Sequence, residues 1–116
     1  MTLGFTETAN FTQYRDDYFV TDDAFSAVQQ ALLSDPQTGP VIRGCGGLRK
    51  MRWSDPKRGK GKRGGLRIIY LYLPDLQRII FLDVYDKDEA DDLTPEERKE
   101  FAAAAQEIRI EFQKRA

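Results

Sequence analysis

Apolar positions along this chain change period twice, and the changes divide it into three parts. In the first, Phe5 to Thr8 predicts a short strand, after which Phe11, Tyr14 and Tyr18 recur at i, i+3 and i+7 behind Asn10 as helix cap. Thr21 then caps a second helix that carries Phe25, Val28 and Leu32 on one face, and SDPQTGP ends it with two prolines and a glycine. From Val41 the period becomes that of strands. Leu48 to Trp53 alternates, while Leu66 to Leu73 and Arg78 to Tyr85 are rich in Ile, Val, Phe and Tyr. LPDLQR between the last two is short and puts Pro74 and Asp75 where a turn wants them, which predicts a hairpin. The third part is a helix with a legible start: Thr94, Pro95, Glu96 and Glu97 supply a hydroxyl cap, a proline at the first position and a carboxylate three residues on, a capping box. Phe101, Ala105, Ile108 and Phe112 form its apolar stripe. The order β, α, α, three β, α predicts an α+β domain with helices against a mainly antiparallel sheet, two of them N-terminal and one C-terminal.

Length and composition narrow this to one domain spanning residues 1–116, large enough to bury a core without a disulfide or structural metal. The only cysteine, Cys45, allows no intrachain disulfide and no thiolate zinc site. No run resembles a signal peptide and none approaches the roughly 20 apolar residues of a membrane span. The expectation is a soluble cytoplasmic protein with no membrane partner.

A net charge of -1 hides a separation of sign. Between Arg43 and Arg67 ten Lys or Arg face one acid, Asp55, whereas the rest of the chain carries eight bases and eighteen acids. Much of the excess lies in DPKRGKGKRGGLRIIY, where Lys57, Arg58, Lys60, Lys62 and Arg63 precede a strand that opens on Arg67. Fields at a surface depend on charge within a Debye length of ~8 Å, so the basic segment can attract a polyanion although the whole is near neutral. In an up, down, up meander three segments meet at one end of the sheet: Lys50 and Arg52, then Arg67, then Tyr85 to Lys87. Lys50 and Arg52 share parity and leave the same face, and strands about 4.8 Å apart bring these groups around one phosphate. Cations at strand ends are usually just solvated, or guard a sheet edge; ten against one exceeds what folding alone favours and points to a polyanion.

Other chemistries fit poorly. Gly59, Gly61 and Gly64 match G-x-G-x-x-G, but the match opens a strand, against the dinucleotide fold. Asp86, Asp88, Glu89, Asp91 and Asp92 lack the spacing and glycine of a Ca²⁺ loop and read as a solvated linker. With no histidine, imidazole acid/base pairs and the usual zinc hydrolase sites are excluded. Neither metal nor cofactor is expected.

The runs VIRGCGGLRKMRW, KGKRGGLRIIY and VYDKDEADDLTPEERK resemble the HigB-type branch of the RelE/ParE superfamily, toxins of bacterial type II toxin-antitoxin modules. The resemblance covers about two thirds of the chain, and GGLRK and GKGKRGGLRIIY are its most specific parts. It implies a RelE-like fold and a metal-independent endoribonuclease, an mRNA interferase, that enters the ribosomal A site and cuts translated mRNA with the RNA 2′-hydroxyl as nucleophile. The lysines and arginines on the concave side of the sheet fall on Lys50, Arg52, Arg67 and Lys87; a tyrosine found after the last strand in some members has no clear match, and Tyr85 or Tyr70 stands in for it. Lys57, Arg58, Lys60, Lys62 and Arg63 are the expected RNA-binding loop. Cleavage needs a base for the 2′-hydroxyl, cations for the phosphorane and a donor for the leaving 5′-oxygen. Crowding by like charge readies some lysines as bases, whereas arginine grips phosphate bidentately. Lys50 is accordingly the base, Arg52 and Arg67 are clamps, and Lys87 is a transition-state cation or acid. The resemblance further implies a cognate helix-turn-helix antitoxin, through which alone the toxin reaches operator DNA. Two other readings stand beside it: a ParE-like gyrase poison, and an RNA-binding module without catalysis.

Overall fold

The computed structural model describes residues 2–54, 65–86 and 93–115. The elements follow the predicted order: β1 (Gly4–Glu7), α1 (Ala9–Tyr18), α2 (Asp22–Ser34), β2 (Arg49–Trp53), β3 (Leu66–Leu73), β4 (Arg78–Asp86) and α3 (Pro95–Arg115). A 3₁₀ turn, Pro74–Leu76, closes the β3–β4 hairpin, and Gln77 takes the left-handed conformation that ends it (φ 51°). The described residues form the α+β architecture expected, with one four-stranded sheet in the order β1-β4-β3-β2. β2, β3 and β4 are the antiparallel meander; β1 joins parallel to β4 at the far edge.

Helices cover both faces of the sheet, because both faces are apolar. Against α1 and α2 lie Met51, Leu66, Ile68, Tyr70, Ile79, Phe81 and Val84, and against α3 lie Ile69, Leu71, Ile80 and Leu82. On the first face Phe11 stacks on Phe81 with centroids 4.9 Å apart, and Phe25 meets Phe81 edge-on at 5.3 Å. Such pairs add ~0.5–1.5 kcal/mol each beyond the area they bury. Thr21 caps α2 by accepting from the Ala24 N–H, and Phe25, Val28 and Leu32 are buried.

Two expectations for α1 change. Its cap is Thr8, whose hydroxyl accepts from the Phe11 N–H; Asn10 lies inside the helix and its amide donates instead to the Leu82 carbonyl at 3.0 Å. Phe11 is buried and Tyr18 half-buried, but Tyr14 is 41% exposed. At about 100° per residue Tyr14 lies some 60° off the line joining the other two, and this short helix buries a narrow stripe.

On the other face, α3 starts with the predicted capping box, both bonds formed: the Thr94 N–H donates to Glu97 Oε1 at 2.9 Å, and the Glu97 N–H donates to Thr94 Oγ1 at 3.1 Å. Its stripe of Phe101, Ala105, Ile108 and Phe112 packs on the second core. Beneath it runs the loop RGCGG. Gly46 has φ +68°, and a β-carbon there would lie 3.3 Å from the backbone of Ala102, so glycine is needed for both reasons. Arg98 donates to the Arg43 carbonyl and Arg109 to the Gly46 carbonyl. The helix thereby holds the loop that leads into β2.

Candidate nucleic-acid interface

Strand register brings together three of the four predicted catalytic cations, Lys50, Arg52 and Arg67. Arg52 on β2 lies directly across from Arg67 on β3, which lies directly across from Tyr85 on β4. Side chains at directly opposed positions have β-carbons about 4.5–5.5 Å apart, so the three form one row. Lys50 is two residues back on β2, opposite Ile69, and shares the face of Arg52. This is the α3 face, since Ile69 and Tyr85 both belong to its core.

That Tyr85 shares the row depends on a bulge that the sequence pattern did not disclose. Tyr70 pairs with Phe81, yet Ile69 pairs with Asp83, which leaves Leu82 as the extra residue. Without it, alternation from Phe81 on the α1/α2 face would return Tyr85 to that face. With it, Val84 packs toward α1 and α2 while Tyr85 joins Arg67. The alternative stand-in, Tyr70, is a core residue: its hydroxyl donates to the Pro36 carbonyl at 2.8 Å and accepts from the Gly39 N–H at 3.0 Å.

Burial within the row is graded. Arg52 is exposed, Lys50 and Tyr85 are half-buried, and Arg67 is only 8% exposed. Arg67 therefore packs as well as carrying charge: β3 is an inner strand, flanked on both sides, and it encloses its one arginine. Among the described residues, Arg67 Nη1 donates to the Leu66 carbonyl at 3.3 Å. A guanidinium held here costs desolvation that an anion above it would offset. Asp86 also departs from expectation. It ends β4 opposite Leu66 and is buried (2% exposed), not part of a solvated linker. Lys87, the loop cations Lys57, Arg58, Lys60, Lys62 and Arg63, and the rest of the acidic run lie outside the described residues.

No family model matches the sequence. Among solved structures, the chain is similar to a chain of the intact E. coli RelBE toxin-antitoxin complex, with a TM-score of 0.52 and 12% identity, over 73% of this chain and 96% of that one. The fold is RelE-like. At such identity the likeness is one of architecture. Among the described residues no helix is long and apolar enough to cross a membrane.

Two hollows flank the row of this RelE-like sheet, and they differ in sign. One, of about 420 Å³, lies on the outer edge of β2 and is lined by Ala31, Thr38, Pro40, Lys50, Met51, Arg52 and Trp53. The other, of about 430 Å³, lies between β4 and α3; Asp83, Glu97 and Glu100 surround a floor of Leu82, Phe101, Ala104 and Ile108. Burial pushes the Asp83 carboxyl above the usual carboxylate range, opposed by hydrogen bonds from the Val84 N–H and Asn10, and Glu97 adds to the rise. Cys45 is fully buried under α3, and burial pushes its thiol up against the pull of the Arg98 and Lys50 charges.

Proposed function

We propose that this protein is the toxin of a type II toxin-antitoxin module, of the HigB type, and that it cuts translated mRNA on the ribosome. The observation that carries the reading is the row Arg52, Arg67 and Tyr85 across three strands of a RelE-like sheet, with Lys50 beside it on the same face. Arg52 and Arg67 clamp the scissile phosphate, and Lys50 takes the proton of the 2′-hydroxyl. The 2′-oxygen forms its bond to phosphorus as the bond to the 5′-oxygen breaks, leaving a 2′,3′-cyclic phosphate. The Arg52 and Arg67 guanidinium groups stabilise the charge that develops on the phosphorane, and the enclosed Arg67 does so with little reorganisation. Tyr85, opposite Arg67, or Lys87 just beyond it, protonates the departing 5′-oxygen. The cations from Lys57 to Arg63 hold ribosomal or messenger RNA through its phosphates.

Such an activity would halt its own host's translation, so the reading includes a cognate helix-turn-helix antitoxin in the same cytoplasm. The acidic-rimmed cleft between β4 and α3 suits a basic segment of that partner. The decisive experiment is primer extension on mRNA during induction, with and without translation. Cuts confined to translated RNA are expected; DNA damage markers without cuts, or equal cutting of naked RNA, would overturn the proposal.

A further inference from the structure

The hollow on the edge of β2 contains the chemistry for holding a base, not only a phosphate. β2 is the last strand of the sheet, and among the described residues its outer side is paired at the start, where Val41 bridges Arg49 and the Lys50 N–H donates to the Pro40 carbonyl at 3.0 Å. Because backbone groups alternate in direction along a strand, the Lys50 bond fixes the N–H and C=O of Arg52 as pointing the same way, into the hollow. A donor and an acceptor side by side match the edge of a nucleobase. Trp53 follows at once: half-buried against the first core, it lines the same hollow, as does Thr38. Lys50 and Arg52 supply positive charge at the rim and connect the hollow to the row on the α3 face.

From these features we infer that the β2 edge takes a nucleobase of single-stranded RNA, stacked on Trp53 and read by the Arg52 backbone, while the neighbouring phosphate lies over Arg52 and Arg67. This deepens the proposed ribonuclease and rests on it for the identity of the polymer. An extended peptide added to the same edge would use the backbone pair but has no need of two cations and an indole. Aromatic stacking beside a positively charged groove is how sequence-tolerant single-strand binding is built.

Trp53 is the chain's one tryptophan, so tryptophan emission reports on this residue alone. The full chain is titrated with a fluorescently labelled trinucleotide blocked by 2′-O-methyl groups, reading label anisotropy and tryptophan emission together. Quenching that tracks anisotropy is expected. Trp53→Phe should keep most of the affinity and Arg52→Gln should lower it, whereas Trp53→Ala should weaken binding about tenfold or more, the scale of one stacked base. Saturable anisotropy with unchanged emission overturns the inference and leaves the ribonuclease reading standing. Absence of mRNA cuts on the ribosome together with quenching does the reverse. No binding by either signal, or quenching by a basic peptide but not by the trinucleotide, also overturns the inference.

Discussion

The two faces of the sheet are built from the same three long strands and do different work. Toward α1 and α2 the positions are apolar or aromatic except at strand ends, where Glu7, Arg49 and the buried Asp86 lie opposite Phe81, Tyr70 and Leu66, and Phe11, Phe25 and Phe81 interlock in one aromatic cluster. Toward α3 the apolar filling stops short of one end, and there the same strands present Lys50, Arg52, Arg67 and Tyr85. The α3 face encloses the Arg67 guanidinium, whose desolvation the phosphate of the proposed substrate would offset. On the proposed reading stability and chemistry are separated by the thickness of one sheet, and a substitution on either side should move one property far more than the other.

The largest expected effect is on the α3 face. Arg67→Gln should reduce mRNA cleavage by ~10²-fold or more, the usual worth of one fixed donor to a developing oxyanion. Because Arg67 is enclosed, the variant's melting temperature must be measured beside its activity, and Arg67→Lys, which keeps the charge, should retain the fold and recover part of the rate. Full activity of folded Arg67→Gln would remove Arg67 from the site. Across the sheet, Phe81→Ala should show the opposite pattern. It empties the centre of the aromatic cluster and should cost ~3–5 kcal/mol of stability, visible by denaturant titration, while cleavage per folded molecule stays near that of the parent. A loss of cleavage as large as that of Arg67→Gln would mean that the two faces are coupled.

This separation also explains what the sequence discloses. Period-two alternation and turn chemistry are local, so the meander, the Thr21 cap and the capping box at Thr94 could be read directly, and parity alone placed Lys50 with Arg52. Tyr85 could not be assigned a face, because IIFLDVYD alternates equally well with or without a bulge at Leu82, and only pairing with β3 decides between them. The parallel union of β1 with β4 joins segments more than seventy residues apart and leaves no local mark. Nor does the burial of Arg67 and Asp86: arginine and aspartate at strand ends read as solvated until the neighbours are known.

A smaller effect should come from the tether between the first core and the β2 edge. Tyr70 is buried, and its hydroxyl bonds to both Pro36 and Gly39, in the segment that leads along the hollow. Tyr70→Phe leaves the ring in place but strips a partner from a buried N–H and a carbonyl, at a cost of ~1–3 kcal/mol. If that segment shapes the hollow, trinucleotide affinity should fall as well, although no atom of Tyr70 lines it. Lost stability with unchanged affinity would confine Tyr70 to the first core.

The smallest effect concerns the polar end of the α3 face and has a sign that distinguishes it from ordinary carboxylate behaviour. Burial holds Asp83 above the usual carboxylate range in the folded chain, whereas in the unfolded chain it titrates near ~3.9. Between the two values the folded state binds more protons than the unfolded state, so stability falls as pH rises through that window and the ionised carboxylate is a cost at neutral pH. Asp83→Asn keeps an oxygen to accept from Asn10 and from the Val84 N–H and removes the charge. Its melting temperature relative to the parent should therefore climb as pH is raised from the ordinary carboxylate value, then level off once Asp83 is ionised in both states. A basic antitoxin segment seated in this cleft would favour the ionised form and reverse the comparison: in the complex the parent, not the asparagine variant, should be the more stable at neutral pH. Thermal scans of both proteins from about pH 3 to about pH 8, free and antitoxin-bound, test both halves. A relative melting temperature that falls with pH in the free protein would contradict the burial of the carboxylate, and an unchanged order in the complex would remove the cleft from the antitoxin interface.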